Sequence, residues 1–209
     1  MNLDRKLVAY AAAAAAAGLA AAKSADGAVI ARPGFTFGSG STNNINFDNA
    51  GAEEYQVVHR TGPNRVTLLK DSNALSTNAY AVTAANAQPA ALSAGTIIGP
   101  SSTYSTTYDA DLANQGTGLG NFTVDNVTGN PQYVGVKFQL ASSGPTYYGW
   151  IGVDVTNATD LTGRVSGFAY DDTGGPIAAG AVPEPAGLAL LALGAPFLLR
   201  RRKGVPSPP

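Results

Sequence analysis

The run "YVGVKFQL" constrains the fold more than any other stretch of the chain. Val134, Val136, Phe138 and Leu140 alternate with Tyr133, Gly135, Lys137 and Gln139, the period of two that gives a strand one buried and one wet face. The turn signal "SSGP" follows, and then "YYGWIGVDV", in which Ile151, Val153 and Val155 share a face opposite Trp150 and Asp154. Two such runs joined by turn residues predict an antiparallel hairpin. The loop "TNATDLTG" leads to a third strand, "RVSGFAY", and "DDTGGP" closes the meander.

Further strands are expected upstream. "EYQVVHR" and "RVTLLK" flank the turn "TGPN", and "AYAVTA", "GTIIG" and "LGNFTV" follow, while "FGSGSTNNINFDNAG" and "QPAALSAG" read as loops. No long segment of 3.6-residue period lies between Val29 and Gly180, and no fixed-period repeat points to a solenoid. Short strands joined by loops predict an all-β fold, a single antiparallel β-sandwich of jelly-roll type. The chain has no cysteine, so a body of about 155 residues must hold one core together without disulfides.

The two ends have another character. "MNLDRKLVAYAAAAAAAGLAAAKSADGA" has a short charged start with Arg5 and Lys6, an uncharged alanine-rich run, and then small residues suited to a signal peptidase, with the cut expected between residues 22 and 28. At the other end "VPEPAGLALLALGAPFLLRRRK" holds 14 residues free of charged side chains between Pro185 and Arg200. A helix of that length reaches about 21 Å, against a hydrocarbon core of about 30 Å. Gly194 and Pro196 weaken it further. Arg200, Arg201, Arg202 and Lys203 mark the cytoplasmic end and stop translocation. With Arg5 and Lys6 also inside, everything between the two apolar runs is expected to lie outside the cytoplasmic membrane.

The whole-chain balance of 13 basic and 14 acidic residues hides a split. Setting aside Arg5, Lys6, Lys23 and the terminal basic cluster leaves 6 basic residues, and setting aside Asp4 and Glu184 leaves 12 acidic ones. A body of about six net negative charges argues against a nucleic-acid partner.

The order Pro183, Glu184, Pro185, then an apolar segment, then an arginine cluster near the chain end, behind a signal peptide, resembles the PEP-CTERM sorting signal of Gram-negative-type bacteria. The segment from "YVGVKFQL" to "GAVPEP" is also similar, more weakly, to the final strands of bacterial surface proteins that carry this tail. The resemblance implies recognition by exosortase, an integral-membrane enzyme with a cysteine protease-like site, cleavage near the Pro-Glu-Pro, and passage of the product to the cell surface. Two departures are the short apolar run and the extension "GVPSPP". The expected organisation is a signal peptide over 1–27, a β-sandwich over 28–180, a sorting signal with a short transmembrane helix over 181–203, and a tail over 204–209. The implied partners are the Sec export machinery and exosortase, with transient membrane insertion.

Chemistry in the body has few candidates. His59, the one histidine, lacks a neighbouring nucleophile or orienting acid in sequence. Asp109 and Asp111 in "YDADLANQG" place two carboxylates at i and i+2, and Asp171 and Asp172 are a second oxygen cluster. These are the calcium candidates, but no EF-hand glutamate closes either, and Asp is an ordinary turn residue. Tyr148 and Trp150 alternate onto one face and form the candidate glycan platform, against the competing reading of Trp150 as core. The sequence therefore predicts a non-enzymatic surface or extracellular-matrix protein that needs no cofactor. The alternatives are a carbohydrate-binding module acting on exopolysaccharide and a permanently anchored envelope protein.

Overall fold

The computed structural model describes residues 27–70, 78–81, 87–115, 120–124 and 129–183. The segments expected to be a signal peptide and an apolar sorting tail, with the basic cluster Arg200, Arg201, Arg202 and Lys203, lie outside the described residues. No helix occurs among those described, and none is long and apolar enough to cross a membrane.

In chain order the strands are β1 (Val29–Phe37), β2 (Thr42–Ile45), β3 (Tyr55–Thr61), β4 (Asn64–Lys70), β5 (Ala79–Ala81), β6 (Ile97–Ile98), β7 (Tyr104–Ser105), β8 (Asp109–Asn114), β9 (Gln132–Phe138), β10 (Tyr147–Val155), β11 (Gly163–Asp171) and β12 (Ile177–Ala178). They form a six-stranded sheet, β1-β11-β10-β9-β5-β7, a four-stranded sheet, β2-β3-β4-β8, and the ribbon β12-β6, with every strand pair antiparallel.

The hairpins foreseen from alternation are present. Tyr148 of β10 pairs with Lys137 of β9, and Val57 of β3 pairs with Leu68 of β4. The two large sheets bury one core between them. Val134, Val136, Phe138, Ile151, Val153 and Val155 face Tyr55, Val57, Val66, Leu68 and Leu112. Tyr55 crosses this core, its hydroxyl proton shared between the carbonyls of Ala79 (2.8 Å) and Lys137 (2.9 Å) in the opposite sheet. Burial pushes that phenol well above its ordinary value.

Five strands escape the alternation rule, one of them the two-residue β7. β1 contains Pro33, which is tolerated because β1 is an edge strand. β2 falls in the stretch read as loop, and just after it Phe47 is wholly buried, stacked on Phe138 at 4.4 Å and edge-on to Phe168 at 5.2 Å. β8 is the segment "DADLAN", read as a turn. β12 follows the "DDTGGP" turn. In the other direction, "LGNFTV" forms no named strand, and Val124 makes a single bridge to Val155.

The third strand of the meander carries a bulge that sequence parity cannot show. β10 pairs Gly152 with Gly167 but Val153 with Val165, so Ser166 is the extra residue. Val165 and Phe168, three apart, thereby both reach the main core. Gly34 lies beside the bulge, where a Cβ would collide with the Val165 carbonyl.

The expectation of one wet face on "YVGVKFQL" and its neighbour needs correction. The outer face of the six-stranded sheet is covered by a second cluster, in which Ile98, Ile177 and Ala179 pack on Tyr148, Trp150 and Ala169, with Leu92, Tyr104 and Tyr133 at its margin.

Candidate functional site

The chain enters and leaves the sandwich at one place. Its first described residues, Gly27 and Ala28, meet the β11–β12 turn. The Ala28 N–H donates to Asp172 Oδ1 at 2.8 Å, and the Asp172 N–H donates back to the Ala28 carbonyl at 3.1 Å. Asp171 organises the turn from within. Its Oδ1 accepts from the N–H groups of Thr173 (2.9 Å) and Gly175 (3.1 Å) and from the Thr173 hydroxyl. This is ordinary Asx-turn chemistry. Gly174, at φ 75°, supplies the left-handed residue that the turn requires.

The chain then forms β12 and is pinned four more times before it departs. Ala179 N–H donates to the Thr96 carbonyl at 2.8 Å, and Gly95 N–H donates to the Ala179 carbonyl at 2.9 Å. Ala181 N–H turns back to the Ala178 carbonyl at 3.0 Å, and the Trp150 indole N–H donates to the Ala181 carbonyl at 3.1 Å. Gly180 sits at φ 78° against the Tyr133 ring, where a side chain has no room. Beyond Ala181 the hold ends: Val182 is 64 % exposed, and Pro183 is exposed too. A cleft of about 280 Å³ at this end is lined by Gly27, Val29, Asp171, Thr173, Ile177 and Ala181, among others. Of the three residues expected to form a sorting motif, Pro183 closes the described chain, while Glu184 and Pro185 lie outside it.

The other sequence candidates are placed elsewhere. Tyr148 and Trp150 do share a face, as alternation foresaw, but at 9 % and 5 % exposure they lie beneath the β6–β12 ribbon and form no open stacking platform. The cluster is aromatic throughout: Tyr133 meets Trp150 edge-on at 5.4 Å. Tyr104, whose hydroxyl donates to the Gly99 carbonyl at 2.9 Å, has its phenol pushed up to about 12 by burial.

Asp109 and Asp111 sit on a strand, not a loop, and their charges are already met. Arg60 reaches Asp109 Oδ2 at 3.1 Å, and Arg65 reaches Asp109 at 3.6 Å and Asp111 Oδ1 at 3.2 Å. A calcium ion here would face two guanidinium groups, so the pair is an ion-pair network of the sheet. Among the described residues no group of three or more metal-ligating side chains gathers.

His59 is buried on the core face of β3 with both ring nitrogens engaged. Nδ1 accepts from the Gly40 N–H at 3.3 Å, which makes Nε2 the donor to the Asp160 carbonyl. It ties two loops together. A second cleft, of about 250 Å³, is lined by Ala113, Asn114, Gln115, Gly120, Phe122, Val124, Ala158 and Leu161, none of them titratable near neutral pH.

One titratable group escaped sequence reading. Glu54 is 4 % exposed, its Oε2 accepting the Phe47 N–H at 2.9 Å, and its carboxyl is pushed up to about 7, chiefly by burial, with Asp48 and Glu53 adding like charge. The folded value lies above the ordinary 4.5, so native chains keep a proton that unfolded chains release between about pH 4.5 and 7. Stability attributable to this group is therefore full below pH 4.5 and falls as pH rises to 7. Glu54→Gln, which mimics the protonated form, is expected to gain on the order of 2 kcal/mol at pH 8 and nothing at pH 4. Urea titrations at the two pH values check this, and an equal gain at both would contradict it.

Comparison with known proteins adds no relative: no family model, no curated protein and no solved structure matches the chain.

Proposed function

We propose that this chain is a non-enzymatic bacterial surface or extracellular-matrix protein: one sandwich exported behind a signal peptide and sorted by exosortase through Pro183, Glu184 and Pro185. The observation that carries the reading is the placement of the first and last described residues of the body. Ala28 and Ala181 are both hydrogen-bonded into the body, beside a cleft that Gly27 and Ala181 line together, and the motif begins two residues after the last pinned carbonyl. The exposed Val182 and Pro183 present the start of the motif away from the sheet, and a Pro-flanked glutamate resists helix and favours an extended backbone.

In this reading the flanking segments form a signal helix and a short apolar helix, and the body is a jelly roll. Its support is the way successive strands change sheet, as β1 to β2, β4 to β5, β7 to β8 and β8 to β9 all do. The tail is a temporary hold, because about 21 Å of apolar helix broken by Gly194 and Pro196 is a poor permanent span. Extracellular polysaccharide remains the ligand class for a matrix role, though binding would need a surface other than Tyr148 and Trp150.

Fractionation of matched strains tests the proposal. With exosortase present, the body is expected in the extracellular fraction without its basic tail. Deletion of the enzyme is expected to leave the full tail in the membrane fraction. Tail removal that continues unchanged in the deletion strain would refute the sorting assignment.

A further inference from the structure

We propose that the exported chain starts at Ala28, after a signal peptidase hydrolyses the Gly27–Ala28 bond, and that the new α-ammonium pairs with the Asp172 carboxylate. This rests on the export reading above. In the step itself the amide C–N bond breaks, water supplies the hydroxyl that makes Gly27 a carboxylate, and the Ala28 nitrogen leaves as the ammonium.

The sequence alone leaves three small-residue pairs at the positions before a cut: Ala20 with Ala22, Ala22 with Ser24, and Ala25 with Gly27. The folded body separates them. Ala28 nitrogen already lies 2.8 Å from Asp172 Oδ1, and the return bond from Asp172 N–H to the Ala28 carbonyl fixes the two residues face to face. Asp171 and Asp172 are adjacent carboxylates, and neither makes an ion pair among the described residues. Asp171 Oδ1 is spent on its turn, which leaves Asp172 to receive a cation. A cut after Ser24 keeps Asp26 in the exported chain, and a cut after Ala22 keeps Lys23 as well. A cut after Gly27 removes the Asp26 charge and supplies a positive one at hydrogen-bonding distance, the stronger form of the same contact.

The geometry also orders the events. A Cβ at position 27 would lie within 2.7 Å of both Asp171 carboxylate oxygens and the Thr173 hydroxyl, so in the finished fold this segment is closed against the turn. The residues that close it, Asp171 to Thr173, come last: Ala28 and Asp172 are 144 residues apart in sequence. At about 5–20 residues per second they follow roughly 7–30 s behind. For that interval β1 has no partner in β11, and the scissile bond stays extended and uncovered. Folding then closes the site after use.

N-terminal sequencing with intact-mass measurement of the exported full chain is the test. The expected start is Ala-Val-Ile-Ala-Arg-Pro. A start at Lys23 or Ala25 would leave export standing and overturn the assignment of the bond. A start at Met1 or Asn2 would overturn the cleavage itself, and recovery of the chain from the cytoplasm alone would overturn export as well. The pairing is tested on a chain that begins at Ala28, by comparing it with its Asp172→Asn variant. The substitution is expected to lower Tm by about 1–3 °C at low salt and by less at 1 M salt, as for an exposed ion pair. A shift that is absent at low salt, or unaffected by salt, would overturn the pairing.

Discussion

Replacing Phe47 with alanine is expected to destabilise the body by about 3–5 kcal/mol, enough to unfold much of a marginally stable domain. Phe47 lies between strands, yet its ring is the hub of the main core. It stacks on Phe138 and meets Tyr55, Phe168 and Tyr170 edge-on, at centroid distances of 6.4, 5.2 and 5.9 Å. Those partners belong to both sheets, so the cavity left behind would not close by moving one strand. Its backbone is held equally firmly, by Glu54 at the N–H and by Arg32 Nε donating to the carbonyl at 3.2 Å. Denaturant titration checks the value; a loss under about 1 kcal/mol would mean that the loop is not part of the core.

Trp150→Ala is expected to cost a comparable 3–5 kcal/mol, with a different local signature. The indole fills the second cluster and also donates to Ala181, the last fixed residue before the motif. Removing it takes away the floor of the β6–β12 ribbon and the pin at the chain's exit. Hydrogen exchange at Ala179, whose N–H bonds Thr96 across the ribbon, should therefore speed up more than exchange in β3 or β4. Trp150→Phe separates the two roles, since it keeps most of the packing and loses only the donor, for about 1 kcal/mol. If Trp150→Ala left both stability and the ribbon unchanged, the exit would not be anchored as described.

What the sequence disclosed was local. "YVGVKFQL" with "YYGWIGVDV", and "EYQVVHR" with "RVTLLK", form hairpins because the partners are close in the chain and their alternation matches the pleat. What it hid depends on distant partners. β8 is a strand although it begins Asp-Ala-Asp, because Arg60 and Arg65, far back in the chain, neutralise both carboxylates. β1 keeps Pro33 only because nothing needs to pair on its free edge. The Ser166 bulge shifts the parity of β11, so Phe168 reaches the core from a position that strict alternation would turn outward.

The candidate site shows the same division. Motif residues Pro183, Glu184 and Pro185 were legible as a pattern, as was the shared face of Tyr148 and Trp150. That a ribbon formed by residues 97–98 and 177–178 covers those two rings was not legible, because neither strand is long enough to show a period. The meeting of Ala28 with Asp172 could not be read either, since no local rule joins residues 144 apart.

The proposed sorting makes the tail a hold that lasts only for a time. Pulse-chase labelling of a chain tagged on both sides of Glu184, in a strain that possesses exosortase, tests it most directly. The two tags are expected to begin on one membrane-bound polypeptide and to separate during the chase, the body tag leaving with a chain that ends near Pro183. Two tags that remain on one membrane-bound polypeptide throughout would contradict it, and would make the segment after Pro185 a permanent anchor.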